Sequence, residues 1–380
     1  MKIEMLQASY GDCMLMELNE NDGETFTILI DGGTKNSYDN EIKERLEKYL
    51  EDDKKIDLVI ITHSDDDHIS GMNYILKNKK IVSKIDRVIY NSPYAIGKKL
   101  DKWDKADLEK SIVPKVIEKT EVSNGFRKIK KDRQLNEVSN VEKGVNTGAL
   151  KANKLQQILF DLEKLDMNLV TNDGKFDINE NGVSINFLSP TLKLLDNFYE
   201  KYKADIDKKR QKSLATNTGR EKSDYSISFN ELINNKDVKS LSEYNMASLA
   251  FIVHEQCTDQ SILIMGDSSY KVVTDKLLNL KDKDGVLYSE KNPLQLNYLK
   301  VSHHGSICDL TEEFLEIIDC KKFLISTDGS IFNHPDKKLI ARIYNKINDA
   351  IFYFNYEERM SKITEEKGII KRICKCKREF

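Results

Sequence analysis

The sequence predicts an α/β protein carrying a charged, mostly helical insertion. Three observations point to it. In the first ninety residues, short apolar runs alternate with turn signals and polar stretches of helical period. From about Lys98 to Lys175 the texture changes to Lys, Glu, Asp and Asn with scattered apolar residues. Strand texture then returns at Val183 and recurs into the C-terminal region. At 380 residues and 39% hydrophobic content, the chain can bury a substantial core as one large domain or two ordinary ones.

Met14–Leu18, Phe26–Ile30, Leu58–Ile61 and Arg87–Tyr90 read as strands, with the Asp31-Gly32-Gly33 turn closing the second. The stretches Asp39–Glu51 and Ile69–Lys77 have helical period. Within the insertion, Leu155, Ile158, Leu159, Leu162 and Leu165 recur at helical spacing. Glu200–Glu221, with Lys208-Lys209-Arg210, continues in that style and contains a loop at Thr216–Arg220. Further strands are expected at Val183–Leu188, Ser248–Val253, Ser261–Met265, Leu296–Val301, Lys322–Ile325, Ile351–Phe354 and Gly368–Ile373. This divides the chain into a first half-domain (1–95), the insertion (96–180), and a second half-domain with a C-terminal strand and tail (181–380).

Composition narrows the function classes. Lys and Arg number 60 against 63 Asp and Glu, a formal net charge of −3, which argues against a uniformly basic nucleic-acid coat. No apolar run is long enough for a signal peptide or a membrane span. The 6 cysteines are sparse and read as reduced thiols, so the expected compartment is the cytoplasm and no membrane partner is expected. Cys13 and Cys308 lie near polar motifs without an evident base partner, and Cys374-Lys-Cys376 has no second Cys/His pair.

The chemistry is concentrated in the histidines. Five of the 6 fall in three polar clusters, each following an apolar strand. In the first, the run Leu58–Ile61 leads through Thr62 into His63-Ser64-Asp65-Asp66-Asp67-His68. Two imidazoles and three carboxylates so close together are unfavourable unless a cation neutralises them, and both side-chain types ligate divalent metals. The second is Ser302-His303-His304-Gly305-Ser306, and the third is Asn333-His334-Pro335. Gly266-Asp267 ends another apolar strand. His254 continues Phe251-Ile252-Val253 and reads as structural.

These motifs together resemble the metallo-β-lactamase fold. The segment 63–68 is similar to its HxHxDH motif with the second histidine replaced by aspartate. Ser302–Ser306, Asp31–Gly33, Gly266-Asp267, Asn333–Pro335 and Asn245-Met246-Ala247-Ser248 resemble the hydrolase domain of ComEC-type DNA-uptake proteins and their stand-alone relatives. The resemblance spans roughly residues 1–95 and 180–355. It implies a four-layer αββα sandwich with two divalent ions, Zn or Mn, at the strand ends. His63 and Asp65 would hold the first ion, Asp67 and His68 the second, and Asp267 would bridge them. His334 would be a further ligand. One of His303 and His304 would ligate, with His303 assigned to the metal, and the other would contact substrate or aid the leaving group. Asp31 would buttress the ligand loop, and Ser306 and Asn333 would touch substrate. The family's usual third histidine of the first site has no counterpart here. Exchanging imidazole for carboxylate hardens the site and favours Mn over Zn more than a histidine-rich site would, so a site accepting Mn or Zn is expected.

The resemblance implies hydrolysis by activated water, most naturally of a phosphodiester: a nuclease or phosphodiesterase acting on nucleic acid or nucleotides. Phe126 to Arg133, including Lys128, Lys130 and Lys131, form a basic patch that could hold a phosphate backbone. The alternatives are a hydrolase of a small ester, lactone, thioester or phosphocholine-type substrate, or a partner-binding component of a multi-protein defence system. A homodimer or an operon-encoded protein are the partner classes left open.

Overall fold

The structure, a computed structural model, describes residues 1–51, 53–103, 147–208, 223–235, 238–364 and 372–380. Two sheets form its centre. The first has five strands in chain order: β1 (Lys2–Met5), β2 (Met14–Asn19), β3 (Thr25–Ile30), β4 (Ile56–Ile61) and β5 (Ile85–Tyr90). The second has eight. Its antiparallel half contains β6 (Ile178–Glu180), β7 (Val183–Ser189), β8 (Ala250–Glu255) and β9 (Gln260–Ile264). A short pair beside it joins β10 (Leu294–Leu296) to β12 (Ile318–Cys320). The parallel half of the large sheet continues from β9 through β11 (Tyr298–Lys300), β13 (Lys322–Ile325) and β14 (Ile351–Phe354) to β15 (Cys374–Cys376).

The two-residue period of a strand sends successive side chains to opposite faces, and the cores follow it. On β4, Leu58 and Ile60 face the other sheet, while Val59 and Ile61 face helices. On β9, Ile262 and Ile264 meet them across the sandwich, while Leu263 faces outward. The inter-sheet core therefore joins Ile3, Met16, Ile28 and Ile60 to Ile185, Phe251, Val253 and Leu324. Outside the first sheet lie the helices Lys43–Tyr49, Met72–Ile75 and Thr147–Asp161. Outside the second lie Tyr270–Leu277, Glu312–Glu316 and Lys337–Lys346. This is the helix–sheet–sheet–helix order expected of the fold class. Burial of the leucines and isoleucines that face these cores contributes about 1.5–3 kcal/mol each.

Three local expectations need correction. Ile69–Lys77 is not one helix: Asp66–Ile69 and Met72–Ile75 are separate turns, because Gly71 packs its Cα against the Gly32 carbonyl, 1.9 Å from where a Cβ would stand. Leu296–Val301 divides between β10 and β11, which pair in different sheets. The last strand is Cys374–Cys376, since Ile373 is helical and residues 368–371 lie outside the described residues. Strands β1 and β6 and the helix Tyr270–Leu277 were not anticipated, β1 because a four-residue run with two charged positions gives little periodicity. Helix Thr147–Asp161, on the predicted helical spacing, places Ala152, Leu155, Ile158 and Leu159 in the core outside the first sheet. No helix among the described residues is long and apolar enough to cross a membrane.

Candidate metal centre

In each sheet, adjacent parallel strands release their loops at the carboxyl edge, the usual place for a ligand site in an α/β sheet. Strands β3 and β4 deliver Asp31 and His63–His68 there, and β9 and β11 deliver Asp267 and His303-His304. The turn before β2 adds Asp12, which comes close because Gly11 lies against the Asp67 carbonyl, 1.9 Å from the position of a Cβ. His303 and His304 both hold positive φ, 48° and 55°, a conformation that costs about 1–3 kcal/mol per residue and is found where a structure fixes functional side chains.

Asp267 is the focus. It is 1% exposed, and its two carboxylate oxygens face different histidines. Oδ1 lies 3.5 Å from His68 Nε2 and 3.8 Å from His304 Nε2. Oδ2 lies 3.6 Å from His63 Nε2 and 3.8 Å from His303 Nε2. Asp67 Oδ2 joins the first group, 3.1 Å from His304 Nε2 and 4.0 Å from His68 Nε2. Asp65 Oδ2 joins the second, 3.7 Å from His63 Nε2. One ligand atom from each of Asp12, His68, Asp267 and His304 falls within 4.8 Å of the others.

The hydrogen bonds on the far side of the rings decide which nitrogens face inward. His68 Nδ1 is 2.8 Å from Asp31 Oδ2, and Asp31 also accepts from the Thr62 amide and hydroxyl at 2.8 and 2.7 Å. His304 Nδ1 is 3.1 Å from the Ser326 carbonyl and 3.4 Å from Asp12 Oδ1. Acceptors at both Nδ1 atoms place the protons there, which turns the two Nε2 lone pairs toward each other at 3.2 Å. Facing lone pairs repel unless a proton or a metal cation lies between them. His63 Nε2 and Asp267 Oδ1 are also buried without hydrogen-bond partners. The carboxylates ask for positive charge as well. Burial lowers the His304 pKa, but Asp12 and Asp267 outweigh it and push it up to about 10. Burial raises the Asp267 pKa, yet His68 and His304 hold it well below the usual carboxylate range. Orphaned ligand atoms, inward lone pairs and unneutralised carboxylates fit a divalent cation held by imidazole and carboxylate.

Three expected site residues sit elsewhere than anticipated. His304, expected at the substrate, is 1% exposed and lies within the close group, whereas His303, expected as the ligand, is 26% exposed and takes its Nε2 contact from Asn245 Nδ2 at 3.2 Å. His334 stands behind His303, ring centroids 5.2 Å apart, and its nearest carboxylate is Asp336 at 3.8 Å. Ser306 is buried, with its N–H donated to the His303 carbonyl at 2.9 Å. Asn333, at positive φ, lines a cavity beside the site. Lys128, Lys130 and Lys131 lie outside the described residues.

The sequence reading missed Asp12 and Lys300. Asp12 Oδ2 accepts from Lys300 Nζ at 2.7 Å, and both side chains are buried, so the pair closes the back of the site behind His304. The available signal was a second Gly-Asp dipeptide, Gly11-Asp12, beside an apolar strand, and it drew no attention because no histidine lies near it in the chain. Cys13 and Cys308 are buried thiols whose pKa is pushed up by burial.

Residues 7–140 match the family model of the metallo-beta-lactamase superfamily. A search of curated proteins returns no match to the chain. The matched segment contains Asp12, Asp31 and His63–His68, while Asp267, His303 and His304 come from the part beyond it, which completes the four layers and the Asp/His cluster.

Proposed function

We propose that this protein is a hydrolase that uses two divalent cations to cleave phosphodiesters, as a nuclease or nucleotide phosphodiesterase of the ComEC-like kind. The observation that carries the reading is the division of Asp267 between two histidine pairs. One group, Asp67, His68, His304 and Asp267 Oδ1, would hold one cation. The other, His63, Asp65 and Asp267 Oδ2, would hold the second, with His303 at its solvent side. Zn and Mn both suit this ligand set, and its three carboxylates favour Mn more than a histidine-rich site would. Bound there, two cations would lower the pKa of a water and neutralise charge developing on the attacked group.

The protein's own residues supply orientation and exclusion of water. Asp31 and Thr62 fix His68, and Asp12 with Ser326 fixes His304. His303 accepts from Asn245 on Nε2, which leaves its proton on Nδ1. Burial holds its pKa down to about 4 despite Asp267, so the ring is neutral near pH 7 and is not a source of a full proton. At the rim, Tyr10 and the 46% exposed Phe332 meet edge to face at 6.2 Å, an apolar surface suited to a flat group such as a nucleobase.

The test is hydrolysis of bis-p-nitrophenyl phosphate by protein supplemented with Mn or Zn, alongside a panel of single-stranded DNA, duplex DNA, RNA and cyclic nucleotides. Turnover that disappears in Asp67→Ala or His68→Ala, with folding retained, supports the reading. Turnover retained in both variants would name the wrong centre, and activity confined to lactones or thioesters would move the substrate class.

A further inference from the structure

Beside the metal centre lies a cavity of ≈ 1000 Å³ whose walls include Arg359, Lys362, Ser226, Ser330 and Asn333. Arg359 is the unusual member. It is 3% exposed, and Nη2 is buried without a hydrogen-bond partner. Its Nε donates to the His334 carbonyl, and its guanidinium sits 4.9 Å from the centre of the Tyr225 ring. No carboxylate among the described residues forms an ion pair with it. A buried guanidinium without an anion is costly, since desolvation is offset only in part by a carbonyl and an aromatic face.

The backbone has been shaped to bring Arg359 there. Gly329 holds φ at +62°, and a Cβ on it would stand 2.1 Å from Arg359 Cζ. Tyr225 Oη shares its one proton between the Asn333 and Pro335 carbonyls at 3.0 Å each, pinning the loop that carries His334. The same loop reaches the metal centre, because the His334 ring packs against His303, whose Nε2 is 3.8 Å from Asp267. Asp328 and Glu358 also line the cavity, Glu358 at its exposed rim and Asp328 with Oδ1 already accepting from the Ser330 amide at 2.8 Å. Asp328 and Asp336 act on the Arg359 guanidinium electrostatically without forming an ion pair with it, so an entering anion would compete with them for its charge.

We infer that this cavity is an anion subsite in which Arg359, assisted by Lys362, takes a second phosphate of the substrate, distinct from the one attacked at the metal centre. The inference rests on the phosphodiester reading above, and it narrows the substrate class to diesters bearing a neighbouring phosphate, such as oligonucleotides. Arg suits the role, because with Nε committed to the His334 carbonyl its two terminal nitrogens remain as charged donors for a phosphate.

Titration of inorganic phosphate into the full-length protein, both metal-loaded and after chelation, should reveal binding that survives chelation and weakens at least tenfold in Arg359→Gln. Equal affinity in wild type and variant overturns the subsite. Because Arg359 is buried, the rim variant Lys362→Glu serves as the second arm. It should weaken phosphate in the same direction, and no effect there also counts against the subsite. In the Mn-loaded enzyme, the ratio of kcat/KM for a 5′-phosphorylated thymidine dinucleotide to that for bis-p-nitrophenyl phosphate should fall at least tenfold in Arg359→Gln, mainly through KM for the dinucleotide. An unchanged ratio with phosphate binding lost overturns the assignment of that phosphate to the substrate. Arg359-dependent phosphate binding in a protein that cleaves neither diester defeats the phosphodiester reading while the anion site stands.

Discussion

The two sheets build the centre in different ways. The first supplies a dense packet: His63, Asp65, Asp67 and His68 lie within six residues, braced by Asp31 and Thr62 from neighbouring strand ends of the same sheet. The second supplies Asp267, His303 and His304 from two strands, with His304 braced across the sandwich by Asp12 of the first sheet and by the Ser326 carbonyl. One half is local and self-supporting, and the other is assembled only when the sheets pack. A defect in the second half should therefore disturb both cation sites together, while a defect in the first half's bracing should act on one ligand.

The largest expected effect breaks the shared element. Asp267→Ala removes the oxygen facing each group, so hydrolysis should fall by about 10³-fold or more, with both cations lost by elemental analysis. Loss of only one equivalent would mean that Asp267 serves a single group. Next comes the pair that crosses the sandwich. Lys300→Met leaves only His304 to offset the charge of buried Asp12, which should cost about 3 kcal/mol of stability in urea unfolding. A change below about 1 kcal/mol would show that the pair is not part of the inter-sheet lock.

The legibility of the chain follows the same division. Strands β2 to β5 and the packet at 63–68 could be read directly, because apolar period and ligand chemistry coincide over a few residues. Asp267 was legible only through the company of other motifs. Asp12 was not, since its meaning comes from Lys300, 288 residues away, and His304. Sequence order was also a poor guide to which of His303 and His304 points inward. Both sit at positive φ in one tight turn, and the turn's geometry, with Gly305 packed against Pro335, sets their directions. The 96–180 boundary drawn on composition sets Thr147–Asp161 apart, yet this helix covers the first sheet and packs beside Asp66–Ile69 through Ala152, Leu155, Ile158 and Leu159.

Smaller effects sharpen the contrast. His303→Ala should cost about 100-fold in kcat, less than His304→Ala, because His303 lies on the solvent side of its group. The reverse order would restore the assignment made from the sequence. Asp31→Asn replaces one of the two accepting oxygens with an NH2 donor and removes the charge behind His68, and it should weaken cation binding about 10–100-fold while leaving the fold intact by circular dichroism.

A pH series gives the mildest test. In cation-free protein His304 is raised from 6.5 to about 10, so its charge stabilises the fold fully below pH 6.5 and that contribution is lost as pH rises through about 10. The Tm of chelated protein should fall across that window, and the fall should be smaller in Mn-loaded protein, where the cation replaces the proton. Parallel curves for the two forms would argue against His304 as a ligand.

The central claim, that Asp267 joins two cation sites, is tested most directly by anomalous scattering at the Mn edge from crystals grown with Mn. The account predicts two peaks about 3.5–4 Å apart on either side of the Asp267 carboxylate, one beside His68 and His304 and the other beside His63. A single peak, or peaks away from Asp267, would contradict it.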